Sequence, residues 1–378
     1  MIYLDCNATT PVEQAVSELC IDFLSKEYGN AGSRTHEFGA RAKSAVIQAR
    51  AHVAELLGVD ADGVLFTSGA TESNNLAILG LAAGLQKSGQ RGHLITSAQE
   101  HKAVLEPFQH LQSEGFEVTY LKPGQDGIVP AEDLRVALRP DTILVSLMHV
   151  NNETGVIQPL AEYAKVLAEH RAYLHVDAAQ SYGKLVDELR HPRVDLISAS
   201  GHKIYGPKGI GILAVRERDY VPPPLEPLMY GGGQEKGLRP GTLPVHLIVG
   251  VGEASRLALR DHAKRAKACQ AFRQRAMEAL VTAGGVVNGD ERHCLPSTLN
   301  IAFPGADSEA LILALKDLVA VSNGSACTSS SYTFSHVLTA MGLPRERVKG
   351  ALRLSWCHMT PEVDWDGVQA RLKVLLNK

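Results

Sequence analysis

Short apolar segments that each run into a polar turn recur between residues 64 and 203, and helical segments separate several of them. The apolar segments are 64–66, 94–95, 143–147, 173–176 and 196–198. This alternation predicts an α/β fold built on a mostly parallel sheet. Ligands of such sheets bind outside the carboxyl ends of the strands, where the polar turns gather.

Near residue 255 the pattern of helical and strand segments changes. This change predicts a second, smaller α+β domain. Its predicted elements are a helical stretch over 253–283, strands near 298–303 and 318–322, and a final helix beginning at Thr360. We expect a large domain over 13–255, and a smaller domain that combines 1–12 with 256–378.

Charge and cysteine spacing exclude several classes of protein. Lys and Arg number 38 and Asp and Glu 41, which gives a net charge of −3, so no direct binding of nucleic acid or of an anionic membrane is expected. Neither a signal peptide nor a membrane-spanning run is recognisable. Six cysteines form no CxxC pair, which argues against a disulfide framework and a zinc site. We therefore expect a reduced, cytoplasmic protein without a metal.

Two of the polar turns carry residues suited to a pyridoxal cofactor. Lys203 follows an apolar strand and is flanked by His and Gly, so its amine is placed to form a Schiff base if burial lowers its pKa. The alternative is an ordinary surface lysine. Asp177 ends another strand, where it suits the protonated pyridine nitrogen of pyridoxal phosphate. The alternative is a cap on the following helix.

A third turn, residues 67–75, leads from a strand into a helix through Gly69. Free backbone N–H groups and the hydroxyl of Thr71 at that helix start suit a phosphate. The segment matches neither GxxxxGK[ST] nor GxGxxG, the glycine patterns of nucleotide-binding loops. Ordinary helix capping is the alternative to a phosphate site.

Considered together, these segments resemble the pyridoxal-phosphate-dependent cysteine desulfurases, of the class V aminotransferase type within the aspartate-aminotransferase fold (fold type I). The resemblance extends from Tyr3-Leu4-Asp5 to Arg353-Leu354-Ser355. Its most specific segments, in the family's order, are 69–75, 100–104, 151–155, 177–180, 200–203 and 324–327.

The resemblance implies a role for each matching residue. Lys203 would bind the cofactor covalently, Asp177 would pair with the pyridine nitrogen, and Gln180 with the phenolic oxygen. His101 would stack on the ring and help to move protons. The phosphate would be held by Ala70, Thr71, Ser200 and His202, and by Thr242 from the partner subunit of a homodimer. Asn152 and Arg353 would bind the substrate carboxylate, although Arg353 alone is equally compatible with a solvated charge.

Cys327 lies in the small, polar run 322–331, which is typical of an exposed, mobile loop. The resemblance makes it the nucleophile, on a catalytic loop over about 322–334. It would take sulfur from L-cysteine as a persulfide, release L-alanine, and pass the sulfur to an acceptor protein.

Three departures from the family pattern resemble the branch that serves DNA phosphorothioation: the segment 29–36, Pro240, and the pair Cys357-His358. Iron–sulfur cluster assembly and tRNA thiolation are the alternative pathways. An aminotransferase, a selenocysteine lyase and a catalytically silent sulfur-carrier scaffold are the alternative functions.

Overall fold

The computed structural model describes residues 1–89, 91–324 and 334–376. The strands are short and lie in three sheets. They are β1 (Ile2–Tyr3), β2 (Val64–Thr67), β3 (His93–Ser97), β4 (Glu117–Leu121), β5 (Thr142–Ser146), β6 (Tyr173–Asp177), β7 (Leu196–Ser200), β8 (Gly211–Val215), β9 (Val286–Val287), β10 (Thr298–Ala302), β11 (Val319–Ala320) and β12 (Ala351–Ser355).

Helices surround these sheets. They are α1 (Gln14–Ser25), α2 (Glu37–Leu57), α3 (Ala70–Asn75), α4 (Leu81–Lys87), α5 (Lys102–Ser113), α6 (Ala131–Ala137), α7 (Leu160–Val166), α8 (Val245–Thr282), α9 (Ser308–Leu315), α10 (His336–Ala340), α11 (Arg345–Lys349) and α12 (Trp365–Leu375). A π-helical turn, Leu76–Gly80, joins α3 to α4.

The largest sheet has seven strands in the order β2-β8-β7-β6-β5-β3-β4. The pairs from β7 to β4 are parallel, whereas β8 runs antiparallel to both β7 and β2. This arrangement confirms the predicted α/β class with a mostly parallel, mixed sheet.

Alternating side chains of this sheet belong to two different hydrophobic clusters, because successive residues of a strand point to opposite faces. In β2, for example, Leu65 packs with α4 and α5, whereas Phe66 packs with α2 and α8. Both faces are therefore covered by helices. The polar residues that follow the strands remain at the carboxyl edge.

A second unit is built on the antiparallel sheet β12-β10-β9. Its core includes Leu4, which follows β1, and residues from the last turns of α8, such as Phe272 and Leu280. β1 pairs in parallel with β11, so the N-terminus joins the C-terminal part. The predicted boundary at 255 lies inside α8, which is continuous from Val245, and the domain limits stay a prediction.

The final helix begins later than predicted, at Trp365 instead of Thr360. The Asp364 side chain caps it, because Oδ1 accepts the backbone N–H of Gly367 at 2.9 Å. The hydroxyl of Thr360 accepts the N–H of Cys357 instead, at 2.9 Å. The sequence prediction was wrong here because it assigned the cap to the wrong polar residue.

Candidate active site

A cavity of about 590 Å³ opens at the carboxyl edge of the seven-stranded sheet. Asp177 is the last residue of β6, Ser200 is the last of β7, and Lys203 ends the single 3₁₀ turn that follows. His101 lies between β3 and α5. Parallel strands end at the same edge, so residues far apart in sequence meet there.

Most of the site residues predicted from the sequence line this cavity. They are Ala70, Thr71, His101, Asn152, Asp177, Gln180, Ser200, His202, Lys203 and Arg353. Thr242 is exposed and does not line the cavity of its own chain. Cys327 lies outside the described residues, although Gly324 lines the cavity.

Asp177 is buried and held from two sides. Its Oδ2 accepts from the side-chain amide of Asn74 at 2.8 Å, and its Oδ1 accepts from the backbone N–H of Ala179 at 2.9 Å. The second bond lies in the turn that follows β6, where no helix begins, so Asp177 is not the helix cap that the sequence left as the alternative. The bond from Asn74 fixes the carboxylate in the cavity wall. The sequence did not reveal Asn74 as the partner of Asp177, although Asn74 lies in the 69–75 segment that carries the resemblance.

Lys203 and Gln180 meet at the backbone of the N-terminal segment. The Nζ of Lys203 donates to the carbonyl oxygens of Asn7 and, at 2.9 Å, of Ala8. Gln180 donates through Nε2 to the same Asn7 carbonyl at 3.0 Å, and its Oε1 has no partner among the described residues. Asn7 therefore forms a wall of the site, and sequence reasoning missed it.

His101 directly precedes α5 and caps it, and its lowered pKa leaves it neutral near pH 7. Burial lowers its pKa; Asp177 opposes this effect, while Lys203 and His336 add to it. Its Nδ1 accepts the backbone N–H of Ala103 at 3.1 Å, so the neutral ring carries its proton on Nε2. The ring therefore has one hydrogen-bond donor left.

The start of α3 forms one end of the cavity. Burial lowers the pKa of His202 to about 4, and the neighbouring Lys203 and Lys208 act in the same direction, so His202 is neutral near pH 7. Its Nδ1 lies 3.2 Å from the hydroxyl of Thr9. Lys208, Ser200 and the N–H groups at the helix start supply donors to this end, which suits an anion.

Glu72 connects this helix start to the segment that carries Thr242. Its Oε1 accepts from Nε of Arg239 at 2.9 Å, and its Oε2 accepts from the backbone N–H of Ser68 at 2.7 Å. Burial alone would raise the pKa of Glu72, but the bonds from Arg239 and Ser68 lower it. The carboxylate is thus charged and links two parts of the predicted phosphate site.

The opposite end of the cavity contains Arg353, which is buried in β12 and is not a solvated charge. Its Nη2 donates to Oδ1 of Asp5 at 2.6 Å, and its Nη1 donates to the carbonyl of Asn152 at 3.2 Å. Its Nε and the Oδ1 of Asn152 have no partner among the described residues. Asp5, which orients the guanidinium, was also missed from the sequence.

Comparison with known proteins finds one family model and similar proteins that cover most of the chain. The family model "Aminotransferase class-V" matches residues 2–367. The chain is 49% identical to the cysteine desulfurase IscS of Escherichia coli over 97% of this chain and 90% of that protein. Among solved structures, DndA from Streptomyces lividans is 50% identical with a TM-score of 0.82, covering 93% of this chain and 98% of that one. SspA in complex with cysteine is 39% identical with a TM-score of 0.81, covering 94% and 98%.

Two kinds of feature are absent from the described residues. No helix of this part of the chain combines the length and the apolar character needed to cross a bilayer. The same residues contain no group of three or more His, Cys, Asp or Glu side chains placed to hold a metal ion.

Proposed function

Because this chain belongs to the aminotransferase class-V family, we propose that it is a pyridoxal-phosphate-dependent cysteine desulfurase. It takes sulfur from L-cysteine, releases L-alanine and carries the sulfur as a persulfide on Cys327. The observation that carries the proposal is that an amine (Lys203), a buried carboxylate (Asp177) and a buried guanidinium (Arg353) converge on one cavity.

The residues present fit pyridoxal phosphate. Asp177 is held by two donors and suits the pyridine nitrogen, while Lys203 suits the aldehyde carbon. The donors at the start of α3 suit the phosphate, and Gln180 suits the phenolic oxygen. When bound, the cofactor delocalises the negative charge that proton removal leaves at the substrate Cα.

The protein's own groups bind and orient the substrate and move protons. Arg353 is fixed by Asp5 and binds the carboxylate of L-cysteine, with Asn152 beside it. The Lys203 amine carries the Cα proton, and the Nε2–H of His101 donates a hydrogen bond in the cavity. The Cys327 thiolate then attacks the substrate sulfur. The new S–S bond forms as the Cβ–S bond breaks, and the electron pair stays with Cβ. Protonation at Cβ and return of the proton from the Lys203 amine to Cα give L-alanine.

The test replaces the nucleophile. Cys327→Ser is expected to retain the visible absorbance of the cofactor and to lose sulfide release from L-cysteine. Cys20→Ser, which changes a thiol packed against the core, is the matched control and is expected to retain both.

Three other outcomes would contradict the proposal. Undiminished sulfide release by Cys327→Ser would mean that the nucleophile is wrong, as expected of an aminotransferase or a selenocysteine lyase. Transamination of L-cysteine by the wild type, in place of sulfide release, would favour an aminotransferase. No visible absorbance after addition of pyridoxal phosphate would favour the silent sulfur-carrier scaffold.

We also propose a homodimer in which Thr242 of each chain reaches the phosphate of the other. The exposed side chains of Leu228, Met229 and Tyr230, shortly before Thr242, support a protein contact there. Sedimentation of the wild type and of Tyr230→Glu tests it: the wild type is expected to be a dimer, and the variant to dissociate. A monomeric wild type would exclude the role of Thr242.

The sulfur acceptor and the pathway that it serves are inferred from the sequence alone. We propose that the sulfur passes to an acceptor protein in the cytoplasm and serves DNA phosphorothioation, with iron–sulfur cluster assembly and tRNA thiolation as alternatives. Capture of partners on the persulfide form is the test. Recovery of iron–sulfur scaffold proteins would contradict phosphorothioation.

A further inference from the structure

Glu153 is a fully enclosed acid that none of the roles above uses. Only 2% of its surface is exposed, and it directly follows Asn152 in the cavity wall. Its backbone N–H donates to Oδ1 of Asn151 at 2.9 Å, and its carbonyl accepts from Nδ2 of Asn300 in β10 at 3.1 Å. Both sides of its peptide unit are therefore fixed, so the carboxylate projects from a rigid position.

One oxygen of this carboxylate accepts a hydrogen bond from Ser335 and lies close to the backbone of Gly324, and both residues are distant from Glu153 in sequence. The hydroxyl of Ser335 donates to Oε2 at 2.5 Å. Gly324 has a φ of +85°, and a Cβ at this position would lie 2.9 Å from the same Oε2. Gly324 and Ser335 lie on either side of 325–333, the stretch that contains Cys327.

Each of these two residues is also held by its own neighbours. The N–H of Gly324 donates to the hydroxyl of Ser322 at 3.1 Å. The hydroxyl of Ser335 accepts the N–H of Leu338 at 3.1 Å and thereby caps α10, so its single proton is directed to Glu153. A Cβ at residue 324 would leave no room for the carboxylate in its present place.

Keeping a carboxylate in this position is costly. Burial raises the pKa of Glu153, and the bond from Ser335 and the nearby His336 and Arg353 offset only part of this rise. An apolar side chain of the same length would avoid the cost of desolvation but would leave the hydroxyl of Ser335 without this acceptor.

We propose that Glu153 is a positioning residue for the sulfur-transfer step: it binds Ser335, on the C-terminal side of the stretch that contains Cys327, and packs closely against Gly324, on the N-terminal side. The inference rests on the proposed role of Cys327. Gly324 and Asn152 line the same cavity, so the chain that packs against Glu153 borders the substrate end of the site. A misplacement of about 1 Å can reduce a reaction rate by about 100-fold.

The test separates cysteine binding from sulfur transfer. Binding is followed by the change in cofactor absorbance on adding L-cysteine, and transfer by mass spectrometry of the persulfide on Cys327 in a single turnover. Glu153→Ala is expected to slow transfer by about 10- to 100-fold and to change the half-saturating cysteine concentration by less than about twofold. Glu153→Gln keeps an oxygen for Ser335 and is expected to recover most of the rate.

Ser335→Ala removes the same contact from the other side. It is expected to slow transfer as well, and the double variant Glu153→Ala/Ser335→Ala is expected to be no slower than Glu153→Ala alone, because both changes break one interaction. Asp307→Ala is the matched control: it removes the cap of α9, a bond of 2.9 Å to the N–H of Glu309, and touches neither Glu153 nor Gly324. It is expected to leave transfer unchanged.

Three results would overturn the inference. One is a wild-type transfer rate in both Glu153→Ala and Ser335→Ala. A second is additive effects in the double variant. The third is a transfer rate in Asp307→Ala that falls as much as the rate in Glu153→Ala, when the two variants have equal thermal stability. If Glu153→Ala does not fold, Glu153→Gln and Ser335→Ala still give the comparison. A wild-type protein that forms no persulfide would instead refute the proposed function itself.

Discussion

The Asp177 carboxylate owes its position to a side-chain amide more than a hundred residues earlier in the chain. The bond from Asn74 is 2.8 Å long and both groups are buried, so its loss leaves a buried acceptor unsatisfied. Such a loss costs about 1–3 kcal/mol. The carboxylate is the group that we propose to bind the pyridine nitrogen, so the effect reaches the cofactor.

We predict that Asn74→Ala binds pyridoxal phosphate about 10-fold more weakly, as expected for a loss of about 1.4 kcal/mol. Titration of the apoprotein, followed by cofactor absorbance, measures this affinity. Asn75→Ala is the control, since among the described residues the Asn75 amide donates to the carbonyl of Thr71, within its own helix. Equal affinities for the two variants would show that the Asn74 bond does not prepare the site.

The helices α1, α2 and α8 are packed unusually closely, and glycines in α8 make this possible. A Cβ at Gly252 would lie 2.5 Å from the Cβ of Ala49 in α2, and one at Gly250 would lie 2.4 Å from the Sγ of Cys20 in α1. Since real atoms do not approach so closely, any side chain at these positions forces the helices apart.

Gly252→Val is predicted to lower the free energy of unfolding by about 1–3 kcal/mol through overpacking. Ala263→Val, at an exposed position of the same helix, carries the same β-branched side chain without the contact and is expected to change stability by about 0.5 kcal/mol or less. Chemical denaturation of both variants provides the comparison. If the two midpoints coincide, the close contact between α2 and α8 does not limit stability.

Not every strand was evident from the sequence. Five strands of the large sheet follow the apolar segments 64–66, 94–95, 143–147, 173–176 and 196–198, with ends that differ by one or two residues. β4 and β8 were not predicted. Three positions of β4 are only partly buried and one is exposed, so β4 lacks an apolar run. The antiparallel direction of β8 depends on its neighbours β7 and β2.

At the scale of the whole molecule, several histidines are enclosed in neutral form. Burial lowers the pKa of His149 to about 4, that of His175 to about 3, and that of His202 to about 4. The unfolded chain binds protons at these residues near pH 6.5, whereas the folded chain does not. Their contribution to stability is therefore complete above about pH 6.5 and is lost as the pH falls towards the folded values.

The predicted result is a free energy of unfolding that falls between pH 6.5 and 4, with each such histidine contributing up to about 1.4 kcal/mol per pH unit. His175→Gln, which replaces the ring bonded to Ser146 and Ser198, is expected to reduce that slope by one such contribution. Urea denaturation at several pH values measures it. The buried Glu100, whose raised pKa acts in the opposite direction, is the same in both proteins.

The sequence by itself predicted the fold class, which the structure confirms, and, through the family resemblance, the residues of the candidate site. Asp177 at the end of β6 and Lys203 just after β7 stand out as candidates because apolar runs and the polar turns after them are local patterns. The tertiary structure alone revealed their partners: Asn74 for Asp177, Asn7 for Lys203, and Asp5 for Arg353, which is 348 residues away. Such contacts form only when the fold brings distant strands and loops together. A pattern of neighbouring residues therefore does not reveal which distant residue becomes the partner.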